Sequence, residues 1–460
     1  MKIPFLLLAF GLVLGALCLS AEQQRPNILF VIADDCTYED LGTYGGQAHT
    51  PNLDALAAEG LKFNKCFQVA PMCSPTRHNI YTGLYPVKSG TWPNHTNAYE
   101  DVRSIVHDLK PLGYRIALSG KTHIGPESVF PFEYSKAPKS KTESIIEFEA
   151  VEQLMKECSE SGQPFALFAC SDEPHTPWSK GVEYRDIYPK DEIQLRPFMV
   201  DTPETRENFR NYLAEITYFD SEVGRLLALL EKYGLAGKTL VMVVSEQGNA
   251  FPFAKWSCYD DGLRSAMVVR WPGKIEPGGE SEAMVEYVDI LPTFVEAAGG
   301  KLREELDGKS MVSLFAAPEN EHKEYVYGLQ TSRGINHGPV SYGIRSVRDK
   351  RYKLIWNLSH QEIFKCAMDP NKWFQSWERE ADAGNSHAEA MLDRYHHRPE
   401  YELYDTELDT YEVHNLADHP SYEQVKERLR KKLENWMESQ GDKGQATEMS
   451  AFERMPKKKS

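Results

Sequence analysis

Four segments of the chain are continuous apolar runs that stop abruptly at polar clusters. Residues 27–33 end at Asp34-Asp35 and 115–119 at Gly120-Lys121-Thr122-His123. Residues 165–169 run on to Ser171-Asp172-Glu173-Pro174-His175, and 240–244 to Ser245-Glu246-Gln247-Gly248. A run without polar alternation marks a strand buried on both faces. Helical spacing lies between the runs. Thr50 as N-cap with Pro51 opens a predicted helix whose Leu53, Leu56 and Ala57 share one face before Gly60. Ile216, Phe219, Val223, Leu226, Leu227 and Leu230 recur as a core stripe across 215–230. The pattern predicts an α/β fold with a large, mostly parallel sheet sandwiched by helices. Ligands of such sheets bind beyond the carboxyl ends of the strands, so the four polar clusters are expected to meet at one site.

Beyond about residue 340 the pattern changes. Residues 342–347 and 352–356 read as strands around the polar turn 348–351, and 401–405 as another. Ser421 with Gln424 reads as a capping box for a closing helix bearing Val425, Leu429, Leu433, Trp436 and Met437. This is a smaller C-terminal α+β subdomain. The expected division is a signal peptide over 1–21, a catalytic domain over 22–340, the subdomain over 341–440, and a solvated, disordered tail over 441–460. No internal repeat is evident.

The signal peptide rests on Lys2, the apolar run 5–19 and the small residues Ser20-Ala21 before a polar stretch. Cys18 follows a poor lipobox, and no other run is apolar enough for a spanning helix. Export to a secreted or periplasmic location is therefore expected, lysosomal in a eukaryote, with a bacterial origin favoured. Lys+Arg number 52 against 68 Asp+Glu, a net charge of −16, which repels nucleic acid at long range. An anionic glycan would need a locally basic pocket. With Cys18 and Cys73 set aside, Cys36, Cys66, Cys158, Cys170, Cys258 and Cys366 permit disulfides without fixing partners. Asn94 and Asn357 head glycosylation sequons.

The most specific chemistry lies at 73–83, Cys-Ser-Pro-Thr-Arg-His-Asn-Ile-Tyr-Thr-Gly. By itself Cys73 before a proline turn reads equally as a buried thiol. Asp34-Asp35 reads as an Asx turn or, with Glu246 and the Gln247 carbonyl, as an oxygen cage for a hard divalent cation. His49, His78, His95, His107, His396 and His397 show no metal-ligand spacing and read as surface or loop residues, with His95 or His397 available to line a glycan subsite. No Cys-x-x-Cys, Walker A or dinucleotide fingerprint occurs.

Taken together, Cys73-x-Pro75-x-Arg77, Gly120-Lys121-x-His123 and the four strand ends resemble the type I sulfatases of the alkaline-phosphatase superfamily, over residues 26 to about 420. The resemblance implies that Cys73 is oxidised to formylglycine by a formylglycine-generating or anaerobic maturation enzyme. One hydroxyl of its hydrate would attack sulfur, and the other would expel sulfate. It also implies Ca²⁺, or Mg²⁺, on Asp34, Asp35, Glu246, Gln247 and the modified Cys73. Lys121, His123, His175 and Lys255 would contact sulfate, with His175 the general acid for the leaving oxygen and His123 sharing the catalytic work. Arg77 would hold the formylglycine. The chain departs from the family where Glu246-Gln247 replaces the usual Asp-Asn, one methylene longer with the same ligand atoms. Residues 125–132 resemble the heparan N-sulfatase branch and bacterial polysaccharide sulfatases. The expected substrate is a sulfated carbohydrate, with N-sulfoglucosamine one candidate. The alternatives are a phosphate or phosphonate monoester hydrolase with the same nucleophile, and a non-catalytic sulfated-glycan binder if Cys73 stays a thiol.

Overall fold

The computed structural model describes residues 25–135, 145–339 and 341–454. The expected signal peptide and the last six residues lie outside this range. An eight-stranded sheet is built from β1 (Asn27–Asp34), β2 (Leu61–Phe67), β3 (Arg115–Gly120), β4 (Glu133–Tyr134), β5 (Phe165–Cys170), β6 (Thr239–Glu246), β7 (Arg264–Arg270) and β8 (Gly279–Glu286). Their spatial order is β4-β3-β5-β1-β6-β7-β2-β8. The four apolar runs are thus the adjacent strands β3, β5, β1 and β6, all mutually parallel. β7 is antiparallel to both β6 and β2, which makes the sheet mixed.

The period of two along β1 explains why its apolar run is unbroken. Leu29, Val31 and Ala33 enter one core with Leu167 and Val243. Ile28, Phe30 and Ile32 enter the core on the other face with Phe168 and Met242. Truncating a side chain such as Phe30 to alanine would cost about 3–5 kcal/mol.

The helix expected after Thr50 spans Pro51–Ala58, but Thr50 makes no side-chain cap. Its hydroxyl bonds Asp54 instead, and Asp220 accepts from the Asn52 and Leu53 amides at 3.1 and 2.8 Å. Asp220 belongs to the helix Pro203–Lys232, which starts earlier than the apolar stripe suggested.

A second, antiparallel sheet has the order β12-β11-β10-β9, formed by β9 (Val326–Thr331), β10 (Gly343–Arg348), β11 (Tyr352–Asn357) and β12 (Tyr401–Asp405). It begins upstream of the expected boundary at 340. Leu429, Leu433, Trp436 and Met437 of the helix Glu423–Ser439 pack on it as the spacing predicted. No side chain caps that helix, so the expected capping box does not form. The tail also differs from expectation, because Gln445–Arg454 is a helix with Thr447, Glu448 and Ala451 buried. Its anchors are polar: Asp442 pairs with buried Arg345 at 2.5 Å, and Arg454 donates to the Gly90 and Asn97 carbonyls. Hydrophobic periodicity cannot reveal such anchors.

All seven cysteines from Cys36 to Cys366 are buried free thiols. Asn94 and Asn357 are buried too, and the Asn357 amide donates to Pro399 and Glu402, so neither sequon offers an exposed acceptor. No helix of the described residues is long and apolar enough to cross a membrane.

Candidate active site

The carboxyl ends of β1, β3, β5 and β6 bring the four polar clusters to one place. Two glycines make this possible. A Cβ at Gly120, where φ is +95°, would lie 2.0 Å from the Cys170 carbonyl oxygen, and one at Gly248 would lie 1.9 Å from that of Asp261. No other residue fits where the chain turns out of β3 and β6 toward the site. Asp35 itself takes a left-handed φ of 62°.

Cys73 opens the helix Cys73–Thr82, whose residues are all buried. Its thiol and one carboxylate oxygen each from Asp34 and Asp35 lie within 4.8 Å of one another. Burial pushes the Cys73 thiol up to about 12, a rise that nearby Lys255 offsets only in part. An unmodified Cys73 is therefore a neutral thiol and a poor nucleophile.

The two aspartates collect the cations. Lys121 pairs with Asp34, and with Asp172 at 2.8 Å. Lys255 reaches Asp35 at 2.6 Å while standing 4.8 Å from the Trp256 ring centre, so the packing and polar roles coexist. His175 Nε2 lies 3.5 Å from the same Asp35 oxygen, and its Nδ1 donates to the Thr176 carbonyl at 2.6 Å, which turns Nε2 toward the site. Burial would raise the Asp34 pKa, but Lys121, His175, Arg77 and Lys255 hold it well below the usual carboxylate range. Burial likewise opposes charge on Lys121, yet nearby negative charge, Asp34 foremost, raises its pKa well above the ordinary value.

Arg77 is placed differently from expectation. It donates to the Lys121 carbonyl at 2.8 Å and to Glu246 at 2.5 Å, not to Cys73. Glu246 is thereby committed to Arg77 through Oε2, while its Oε1 is buried without a hydrogen-bond partner. The Gln247 amide nitrogen sits 2.8 Å from Asp35 and 3.3 Å from Asp34, with its own oxygen buried and unpartnered. The amide's two ends differ by a half-turn. The compact ligand group is Asp34, Asp35 and Cys73, without Glu246; its two carboxylates, with the Gln247 amide turned to present its oxygen, fit a hard divalent cation.

His123 is partly buried, and burial followed by the Lys121 charge holds its pKa well below the ordinary histidine value. It meets His95 at 2.5 Å, an association across 28 positions that no local spacing signals. Asp172 belongs to a cluster visible in the sequence, although nothing there marked it as a partner for Lys121. His78, read as a loop residue, is fully buried in the Cys73–Thr82 helix. The segment leading to Lys255 is anchored in the core, where Phe251 and Phe253 pack on Trp373 and Tyr395 of helices Lys372–Asp382 and Ser386–His396.

Residues 26–300 match the family described as Sulfatase, and residues 248–394 match N-sulphoglucosamine sulphohydrolase, C-terminal. An ulvan-active sulfatase of Formosa agariphila is 34% identical over 92% of this chain and 82% of its own length. Human N-sulphoglucosamine sulphohydrolase is 28% identical, covering 93% of this chain and 92% of its own length. A solved structure in complex with its substrate D-glucosamine-2-N,6-O-disulfate shares the fold, with a TM-score of 0.69 at 19% identity over 92% of this chain and 99% of that one.

Proposed function

The chain belongs to the sulfatase family of sulfuric ester hydrolases, and on that premise we propose that it cleaves sulfate esters from a sulfated polysaccharide, using formylglycine at Cys73 and one divalent cation. The observation that carries this reading is the Cys73–Asp34–Asp35 cluster ringed by Lys121, Lys255 and His175. Asp34, Asp35 and Gln247 would hold the cation, which supplies Lewis acidity toward a sulfate oxygen. The hydrated aldehyde supplies a nucleophile and a release step that a thiol lacks. A maturation enzyme and export guided by residues 1–21 complete the proposal.

The chain's own residues divide the remaining work. Lys121 and Lys255 place two compact charges where sulfate oxygens would sit. His175, once protonated at Nε2, is the acid for the leaving oxygen. Arg77 acts through Glu246 and the Lys121 carbonyl, holding β6 and the end of β3 in register with the nucleophile's helix.

Sulfate and phosphate monoesters share their oxygen geometry and differ mainly in charge. Four carboxylates (Asp34, Asp35, Asp172 and Glu246) face three permanent cations (Arg77, Lys121 and Lys255). Adding one divalent ion and the protonated His175 leaves two positive charges, so charge balance alone does not separate a monoanionic sulfate ester from a phosphate monoester, which is mostly dianionic near neutral pH. The ulvan-active relative supports a sulfated polysaccharide such as ulvan as the substrate class, and the human relative keeps N-sulfoglucosamine a candidate. Comparing kcat/KM for an aryl sulfate and the matching aryl phosphate tests the reading. Preference for sulfate is expected, and preference for phosphate, or no turnover of either, overturns it.

A further inference from the structure

The Cys73 site occupies the carboxyl end of β1. At the amino end of the same strand lies an open cleft of about 780 Å³, whose lining includes Arg25, Lys238, Trp271, Lys274, Glu296 and Phe315. Topology assembles it: Lys238 immediately precedes β6, and Trp271 immediately follows β7, which runs back antiparallel to β6. Arg25 enters β1 and is fixed by its Nε donating to the Ala298 carbonyl at 3.1 Å. The tight turn Trp271–Ile275, with Gly273 at φ +75°, presents Lys274 at the rim.

Two independent features give this cleft a chemistry. First, three cations face one carboxylate in a chain whose net charge is −16. Among the described residues, no carboxylate lies within ion-pair distance of Arg25, Lys238 or Lys274. Second, Trp271 is half-buried, braced edge-on by Phe315 at 6.3 Å between ring centres. An indole ring takes the apolar C–H face of a sugar, and neighbouring ammonium groups take its sulfates. The volume is that of a small-molecule site, with room for a short run of sugars.

We propose that this cleft is a second binding site for a sulfated polysaccharide, distinct from the catalytic one. The proposal rests on the reading that the substrate is such a polymer. The two sites are separated by the length of β1, roughly 25 Å for an eight-residue strand. A polymer held at one end would present its other sulfates to Cys73 at raised effective concentration. The cleft also offsets locally the repulsion that the acidic chain exerts on a polyanion.

The test uses the full chain carrying Cys73→Ala, run by affinity electrophoresis through gels containing ulvan or chemically desulfated ulvan. Adding Lys238→Glu and Lys274→Glu, both outside the core, is expected to weaken retardation about tenfold. Trp271→Ala, checked for an unchanged melting temperature, should weaken it as well, and the desulfated polymer should not retard the chain. Retardation unaltered by the charge reversals, or equal with the desulfated polymer, would overturn the proposal. With Cys73 intact, the Lys238→Glu/Lys274→Glu variant should keep its kcat/KM on a nitrophenyl sulfate while its KM for ulvan rises. Absent turnover of every sulfate ester would defeat the catalytic reading, while the gel would still read the cleft.

Discussion

Arg77 and Glu246 form an ion pair at 2.5 Å with both side chains wholly buried, joining the nucleophile's helix to the end of β6. Burial works against the Arg77 charge, but Glu246, joined by Asp34 and the other groups around it, outweighs burial and raises the guanidinium's pKa. Removing one partner strands the other without water. Arg77→Met or Glu246→Leu alone should therefore destabilise the fold by about 3–5 kcal/mol. The double variant Arg77→Met/Glu246→Leu should lose far less than the sum, as read by urea denaturation. Additive losses would show that the pair is not a structural unit.

Much of this arrangement was legible in the sequence, and for a definite reason. β1, β3, β5 and β6 are buried on both faces, so their composition alone betrays them, and the residues that end them fall at one edge by topology. β2 was less visible because polar Lys62, Asn64 and Lys65 interrupt it at partly exposed positions. The helix Gln445–Arg454 was hidden because ion pairs and carbonyl contacts hold it. Within the site, residue types were readable but pairings were not. Whether Glu246 turns to a cation or to Arg77, and whether His123 meets His95, depends on approaches between distant segments.

The cation can be tested by removal. Exhaustive chelation should abolish sulfate release, and calcium or magnesium should restore it, since the donors are hard oxygens. Asp35→Asn keeps the shape but removes one charge, so it should raise the metal concentration needed for half-maximal activity and lower kcat. Unchanged turnover after chelation would refute the cage.

His175 and Lys121 should separate by leaving group. With His175→Ala, a sugar sulfate, which expels a basic alkoxide, should slow by about 10²–10⁴. A nitrophenyl sulfate needs little proton help and should slow much less. Lys121→Ala removes charge from the sulfate itself, so both substrates should suffer alike. Equal losses in the histidine variant would reassign His175 to sulfate binding.

Acid stability should carry the signature of His78. Burial lowers its pKa from 6.5 to about 4, although it bonds the Ser74 carbonyl at 2.7 Å. The unfolded chain takes up this proton first, so the contribution is fully present above about pH 6.5 and is lost as pH falls toward 4. The loss by pH 4 approaches about 3 kcal/mol. His78→Gln has no such proton to bind, so its stability should fall less between pH 7 and pH 4 than that of the parent, by about this amount. Parallel pH profiles would show that His78 does not titrate as buried.

The central claim is that Cys73 works as an aldehyde. Trypsin cuts after Lys65 and Arg77, releasing one peptide that contains both Cys66 and Cys73. Cys66 lies outside the motif and serves as the internal thiol reference. In protein that turns over a sulfate ester, mass spectrometry of this peptide should show one thiol and one aldehyde, the latter assigned by fragmentation to position 73. Two intact thiols in fully active protein would contradict the account.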